Sequence, residues 1–95
     1  MLKKELVIKD DVGLHARPAS LFVKLAQEFN GTVKVIFDRT NPRNGKVETL
    51  EKDGKSMIGI LSLGIGRDKP FTLILDGEDE ESYFLKFEEL IDSYE

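Results

Sequence analysis

The stretch Thr32-Val33-Lys34-Val35-Ile36-Phe37, continued through Asp38-Arg39-Thr40-Asn41-Pro42-Arg43-Asn44-Gly45 into Lys46-Val47-Glu48-Thr49-Leu50, decides the fold. Val33, Val35 and Phe37 recur at every second position, the pattern of a strand with one buried face. The run Lys46 to Leu50 reads as its partner, and the polar connection containing Asn, Pro and Gly reads as the end of a hairpin. Strands joined this way are antiparallel, which sets the character of the sheet.

Outward from the hairpin, each flank supplies one strand and one helix before the sheet is complete. Lys4 to Lys9 reads as a strand with Leu6 and Ile8 on one face, ended by the loop Asp10-Asp11-Val12-Gly13. From Ala16 to Asn30, the residues Leu21, Phe22, Leu25, Ala26 and Phe29 recur at helical spacing, with Pro18 in the first turn and Asn30-Gly31 as the stop. Beyond the hairpin, Ser56 caps a short helix ending near Gly64, and Lys69 to Leu75 is a fourth strand. The last helix carries the stripe Tyr83, Phe84, Phe87, Leu90, Ile91 and Tyr94, with Asp79, Glu80 and Glu81 in its first turn, where the dipole favours anions. The order is βαββαβα. It predicts an α+β, two-layer open-faced sandwich: a four-stranded antiparallel sheet with the helices on one face.

Ninety-five residues, 40% hydrophobic and 34% charged, suit one domain spanning 1–95 with a single core. There is no cysteine and one histidine, which excludes disulfides, thiolate metal sites and thiol nucleophiles. No stretch has the length of a signal h-region or a membrane span, so the expectation is a cytoplasmic protein with no membrane contact. The net charge of -4 is unevenly spread: Asp76 to Glu95 holds nine acidic residues and one lysine, so the remainder is positive. A positive body can steer toward an acidic protein surface. No strand interleaves aromatic and basic residues as an RNA platform requires, and together with the negative total this argues against direct nucleic-acid binding.

The chemistry lies in Gly13-Leu14-His15-Ala16-Arg17-Pro18-Ala19. The only histidine stands at the expected start of a helix, two residues before an arginine. Free amides of a helix N-terminus and a planar guanidinium suit the oxygens of a phosphoryl group, and an imidazole nitrogen can attack phosphorus. The helix N-terminus disfavours imidazolium, which keeps that nitrogen free. Near His15 there is no carboxylate pair, Ser/His/Asp set or P-loop, so the pattern points to a phosphoryl carrier and away from a self-sufficient enzyme. Nothing calls for a metal or a bound cofactor.

A second motif is Lys55-Ser56-Met57-Ile58-Gly59-Ile60-Leu61-Ser62-Leu63-Gly64. Read for the fold alone, Ser56 is an N-cap and Met57, Ile58 and Leu61 are core residues. Read for function, the same turn is a partly exposed docking patch, and a phosphate on Ser56 would add about two negative charges beside it.

These two motifs, in this order and element context, resemble the HPr family, the histidine-containing phosphocarriers of the bacterial phosphoenolpyruvate-dependent sugar phosphotransferase system. The resemblance spans nearly the whole chain. It implies that His15 takes a phosphoryl group on Nδ1 from phosphorylated enzyme I and hands it to the enzyme IIA component of a sugar transporter. By the same resemblance Arg17 contacts the phosphoryl group, and Met57, Ile58 and Leu61 form the docking patch. Ser56 matches the serine that HPr kinase/phosphorylase modifies, the modified form being similar to a corepressor of a catabolite-control transcription regulator. Monomer is the implied state.

One departure stands out: Asp38 to Lys55 exceeds the family's usual connection by roughly nine residues, enough for an extended hairpin tip and an extra polar turn at Glu51-Lys52-Asp53-Gly54. It lies just ahead of Ser56. The extension bears on the fit to the serine kinase and the regulator more than on the His15 step. The alternative reading, separate from this departure, is an HPr-like regulatory protein acting through Ser56 and protein binding in carbon catabolite control, without a sugar-transport relay.

Overall fold

A computed structural model describes residues 1–8, 16–65 and 69–92, with the side chains of residues 16–18 outside that description. The elements are β1 (Leu2–Val7), α1 (Ala16–Glu28), β2 (Gly31–Thr40), β3 (Val47–Asp53), α2 (Met57–Leu63), β4 (Pro70–Gly77) and α3 (Glu80–Asp92). They occur in the expected order. The four strands form one sheet in the order β1-β4-β2-β3, every neighbouring pair antiparallel. The hairpin β2–β3 fills one side, and β4 returns to lie between β1 and β2.

Alternation decides which face is covered. Val33, Val35 and Phe37 of β2 and Phe71, Leu73 and Leu75 of β4 are buried under the helices, while the residues between them are exposed or half-buried. Helix α1 contributes Ala19, Phe22, Val23, Ala26 and Phe29 to this layer, and α3 contributes Phe84, Phe87 and Ile91. Phe22 meets Phe71 edge-on at 6.5 Å between ring centroids and lies tilted against Phe87 at 4.9 Å. Such aromatic pairs add to the area they bury and join both helices to the sheet.

Several expected details are corrected. The stripe of α1 is turned slightly from the one read in the sequence, so Leu21 is 46% exposed and Leu25 half-buried, while Ala19 and Val23 go inside. On α3, Tyr83 and Leu90 are only partly buried, and Tyr94 lies outside the described residues. The tyrosine instead leans on Phe29 at 5.2 Å and donates its hydroxyl to the Glu28 carbonyl at 3.3 Å, tying α3 to the end of α1. Asp79 precedes α3 with φ of 61° and its carbonyl accepts from Tyr83 N–H, so only Glu80 and Glu81 stand in the first turn.

The long connection forms mostly by lengthening the strands. Residues Lys34 to Thr40 pair with Asp53 to Val47, so Glu51, Lys52 and Asp53 are strand where the sequence reading had a polar turn. They stay in the ladder because β2 continues to Thr40 and offers each a partner. The turn begins at Gly54, whose N–H donates to the Val33 carbonyl at 2.8 Å. That contact needs a glycine, since a Cβ there would lie 3.1 Å from Val33 Cβ and collide with Val33 Cγ1.

Gly54→Ala should lower the unfolding free energy by about 1–3 kcal/mol, the range for overpacking a filled site. A urea midpoint matching the parent's would show that the approach to Val33 can relax.

Glu80 has a second role. Its Oε1 accepts from the Met1 ammonium at 2.9 Å and its Oε2 from the Gly77 N–H at 3.2 Å. The ammonium contact first and the Gly77 amide second hold its carboxyl below the ordinary glutamate range, and the hydrogen bond to Glu80 raises the Met1 amine. The carboxylate's contribution to stability is therefore present above the unfolded glutamate value and is lost as pH falls through the lower folded one; the amine's is lost as pH rises through its raised value. An NMR titration should place the Glu80 midpoint below the ordinary value, and a midpoint at or above it would mean the contact is not formed in solution.

Candidate functional site

His15, with Gly13 and Leu14, lies outside the described residues, and Arg17 is described only as part of helix α1. The helix begins at Ala16, the residue after His15. Its first amides have no acceptor within the helix, as at any helix start, and Pro18 has none to satisfy. Ala19 and Phe22 are fully buried, which fixes this end of α1 to the core.

Helix α2 is built by its caps. Ser56 has φ -104° and ψ 116°, and its hydroxyl oxygen accepts from Gly59 N–H at 3.1 Å, so the N-cap expected of it is present. Gly64 closes the helix in the left-handed region at φ 64°, its N–H donating to the Leu61 carbonyl at 3.3 Å. The glycine supplies a backbone conformation that other residues adopt at a cost.

Between these caps the inward side differs from the one expected for a core helix. Ile60 and Leu63 are buried, Met57 is half-buried against the core, Ile58 is 83% exposed and Leu61 is 40% exposed. The reading of Ile58 and Leu61 as core residues is therefore corrected. The rotation follows from the helix start: Gly54 against Val33 and the Ser56 cap fix where the first turn points, and Ile60 and Leu63 then face the sheet. Two apolar side chains are left on the surface.

The start of α2 is pinned to the end of α1. Lys55 Nζ donates to the Phe29 carbonyl at 2.8 Å, a cation on a helix C-terminus, and Gln27 Nε2 donates to the Lys55 carbonyl at 3.1 Å. Arg39 reaches from β2 to the Ser62 carbonyl at 3.5 Å. Lys52 Cβ lies 3.4 Å from where a Cβ on Gly59 would stand. The sequence reading gave Arg39 no role and placed Lys52 in a polar turn; for Arg39 the available signal was its alternation in step with Val35 and Phe37, whereas Lys52 turns the same way only through its pairing with Val35. Among the described residues there is no group of three metal-ligating side chains, and no helix is long and apolar enough to cross a membrane.

An open-faced sandwich with one histidine ahead of its first helix and a capped, partly exposed second helix defines the class of small histidine phosphocarriers. The family model described as "PTS HPr component phosphorylation site" matches residues 2–93, and the chain belongs to the HPr family of the phosphotransferase system. It is 36% identical to the phosphocarrier protein HPr of Borreliella burgdorferi, over 99% of this chain and 98% of that protein. The crystal structure of HPr-C-His from Thermoanaerobacter tengcongensis superposes with a TM-score of 0.79 at 34% identity, covering 99% of this chain and 94% of that one. Crh, the catabolite repression protein of Bacillus subtilis, is also similar, with a TM-score of 0.64 at 29% identity over 100% of this chain and 98% of that one.

Ser56→Ala should cost about 1 kcal/mol, the usual worth of an N-cap. Ile58→Ala should change stability by less than about 0.5 kcal/mol, as for a surface position. Equal large losses in denaturant unfolding would mean that Ile58 is packed in solution.

Proposed function

We propose that residues 1–95 act as a single cytoplasmic domain whose His15 accepts a phosphoryl group from phosphorylated enzyme I and passes it to an enzyme IIA component of a sugar transporter. The observation that carries the reading is the start of α1 at Ala16, one residue after the only histidine, with the first turn held to the core by Ala19. In the transfer, Nδ1 of neutral His15 attacks phosphorus as the bond to the donor breaks, and the donor keeps that electron pair. The reverse sequence delivers the group to the acceptor. Arg17 and the first amides of α1 hold the phosphoryl oxygens, stabilising charge without a second catalytic group. The partner proteins supply the remaining catalysis, so the chain is a carrier and not a self-sufficient catalyst.

Met57, Ile58 and Leu61 form the docking patch in this reading; exposure of the last two supports it. Phosphorylation of Ser56 by a kinase of the HPr kinase/phosphorylase type would place a dianion beside the patch, and the modified form would bind a catabolite-control regulator. The cap geometry favours tolerance of such a group, because a phosphoryl oxygen can accept the Gly59 N–H that the hydroxyl now accepts. Likeness to Crh keeps a second reading in view, regulation through Ser56 without the relay.

Incubation with enzyme I, phosphoenolpyruvate and magnesium, followed by intact mass and acid treatment, separates the two. The carrier reading expects one acid-labile phosphoryl group that His15→Ala abolishes without unfolding. No incorporation by an enzyme I active on its own partner, together with acid-stable modification of Ser56 by the kinase, would select the second reading.

A further inference from the structure

Four peptide bonds in this chain join an Asn or Asp to a glycine: Asn30-Gly31, Asn44-Gly45, Asp53-Gly54 and Asp76-Gly77. Such a bond is open to internal attack, because glycine has no Cβ to screen its nitrogen from the side-chain carbonyl carbon of the residue before it. The fold treats the four differently. Gly31 and Gly77 face each other across β2 and β4. A Cβ on Gly31 would meet the Asp76 carbonyl and lie 2.9 Å from Gly77 Cα, and one on Gly77 would meet the Asn30 carbonyl and lie 2.9 Å from Gly31 Cα. Gly54 is closed off by Val33, whose carbonyl accepts its N–H at 2.8 Å. Around Gly45, nothing lies within 4 Å of the Cβ position.

Asn44 is exposed at the tip of the β2–β3 hairpin, outside the strand pairing, and Gly45 after it has φ of 68°. The Asn44 Oδ1 accepts from Lys46 N–H at 2.9 Å, which turns the carboxamide toward the backbone that follows it and draws electron density from Cγ. Gly45 N–H donates to the Asn41 carbonyl at 2.9 Å. That bond lies on an exposed turn, where water replaces the acceptor at small cost. Arg43 and Lys46 flank the pair, and no acidic residue stands between Arg39 and Val47. Positive charge on both sides favours the deprotonated amide that the attack requires.

We infer that Asn44 is a site of spontaneous modification, at which the side-chain amide is lost and aspartate or isoaspartate takes its place. The Gly45 nitrogen gives up its proton to solvent and bonds to Asn44 Cγ. The Cγ–Nδ2 bond breaks, and ammonia leaves with the electron pair, so that a cyclic imide remains. Water then opens the imide at either carbonyl: one opening gives aspartate, the other a chain that runs through the former side chain. Both products place a carboxylate in a tip that otherwise holds Arg39, Arg43 and Lys46, and both make the chain one unit more negative than its formal -4. Isoaspartate also adds a methylene to the turn and shifts the group that Lys46 N–H now meets. Neither His15 nor Ser56 takes part, so the modification stands apart from the phosphocarrier reading.

The test compares Asn44 with Asn30, which has the same following residue in a closed setting. The full chain is held in mildly alkaline buffer, folded and in guanidinium, then digested in acid and followed by site-resolved mass spectrometry, with isoaspartate identified by enzymatic methylation of its carboxylate. In guanidinium the two asparagines should convert at similar rates. In the folded chain Asn44 should convert at least about tenfold faster than Asn30, which corresponds to about 1.4 kcal/mol between the barriers, and its rate should rise with pH. Asn44→Gln, which would need a larger ring, should keep the parent's unfolding midpoint and show no conversion at that position. The comparison within the parent does not depend on this variant. Equal rates at Asn30 and Asn44 in the folded chain overturn the inference. So does an Asn44 that stays intact when folded but converts in guanidinium, since the hydrogen bonds of the tip would then protect it.

Discussion

Phe22 stands where α1, β4 and α3 meet, fully buried, with the rings of Phe71 and Phe87 against it. A sheet covered on one face has a single apolar layer in which to gain its stability, so each helix must be fastened to that layer by a few large side chains. Phe22 does this for α1 and for α3 together. Because Ala19 lies one turn earlier on the same buried stripe, the packing that holds the middle of α1 also fixes its beginning, the residue after His15 in the chain. The core thus holds both the middle and the start of this helix.

The second helix obeys a different constraint. Only seven residues long, it cannot be held by propensity, and its direction comes from its ends: the Ser56 hydroxyl, the left-handed Gly64, and the close approach of Gly54 to Val33. With the ends fixed, burying Ile60 and Leu63 leaves Ile58 and Leu61 outside. An exposed isoleucine here is a geometric result of where the chain must leave β3 and enter the core. The same residues that close the fold prepare the surface.

Much of this was legible in the sequence. Alternation at Val33, Val35 and Phe37 gave the strand, the caps at Ser56 and Gly64 gave α2, and the elements follow the expected order. What was not legible was rotation and register. Apolar residues on both sides of α2 satisfy a helical period equally, and the contact at Gly54 together with the caps selects Ile60 and Leu63 for the interior. Similarly, Glu51-Lys52-Asp53 reads as a polar turn until β2 is known to run on to Thr40 and supply partners. Of the motif around His15, the structure bears on the helix start alone: α1 begins at Ala16, as the sequence reading had it.

The position of β3 at the margin of the sheet has a consequence for how the molecule behaves in company. Its outer backbone groups are available to another strand, and lengthening the hairpin lengthens that available row. Glu48, Glu51, Lys52 and Asp53 place charge along most of it. A strand adding there would have to align with both signs of charge within a few residues, a demand that generic apolar segments do not meet. The edge therefore discourages sheet-to-sheet aggregation, allowing an extended hairpin in a protein whose work requires brief encounters followed by release.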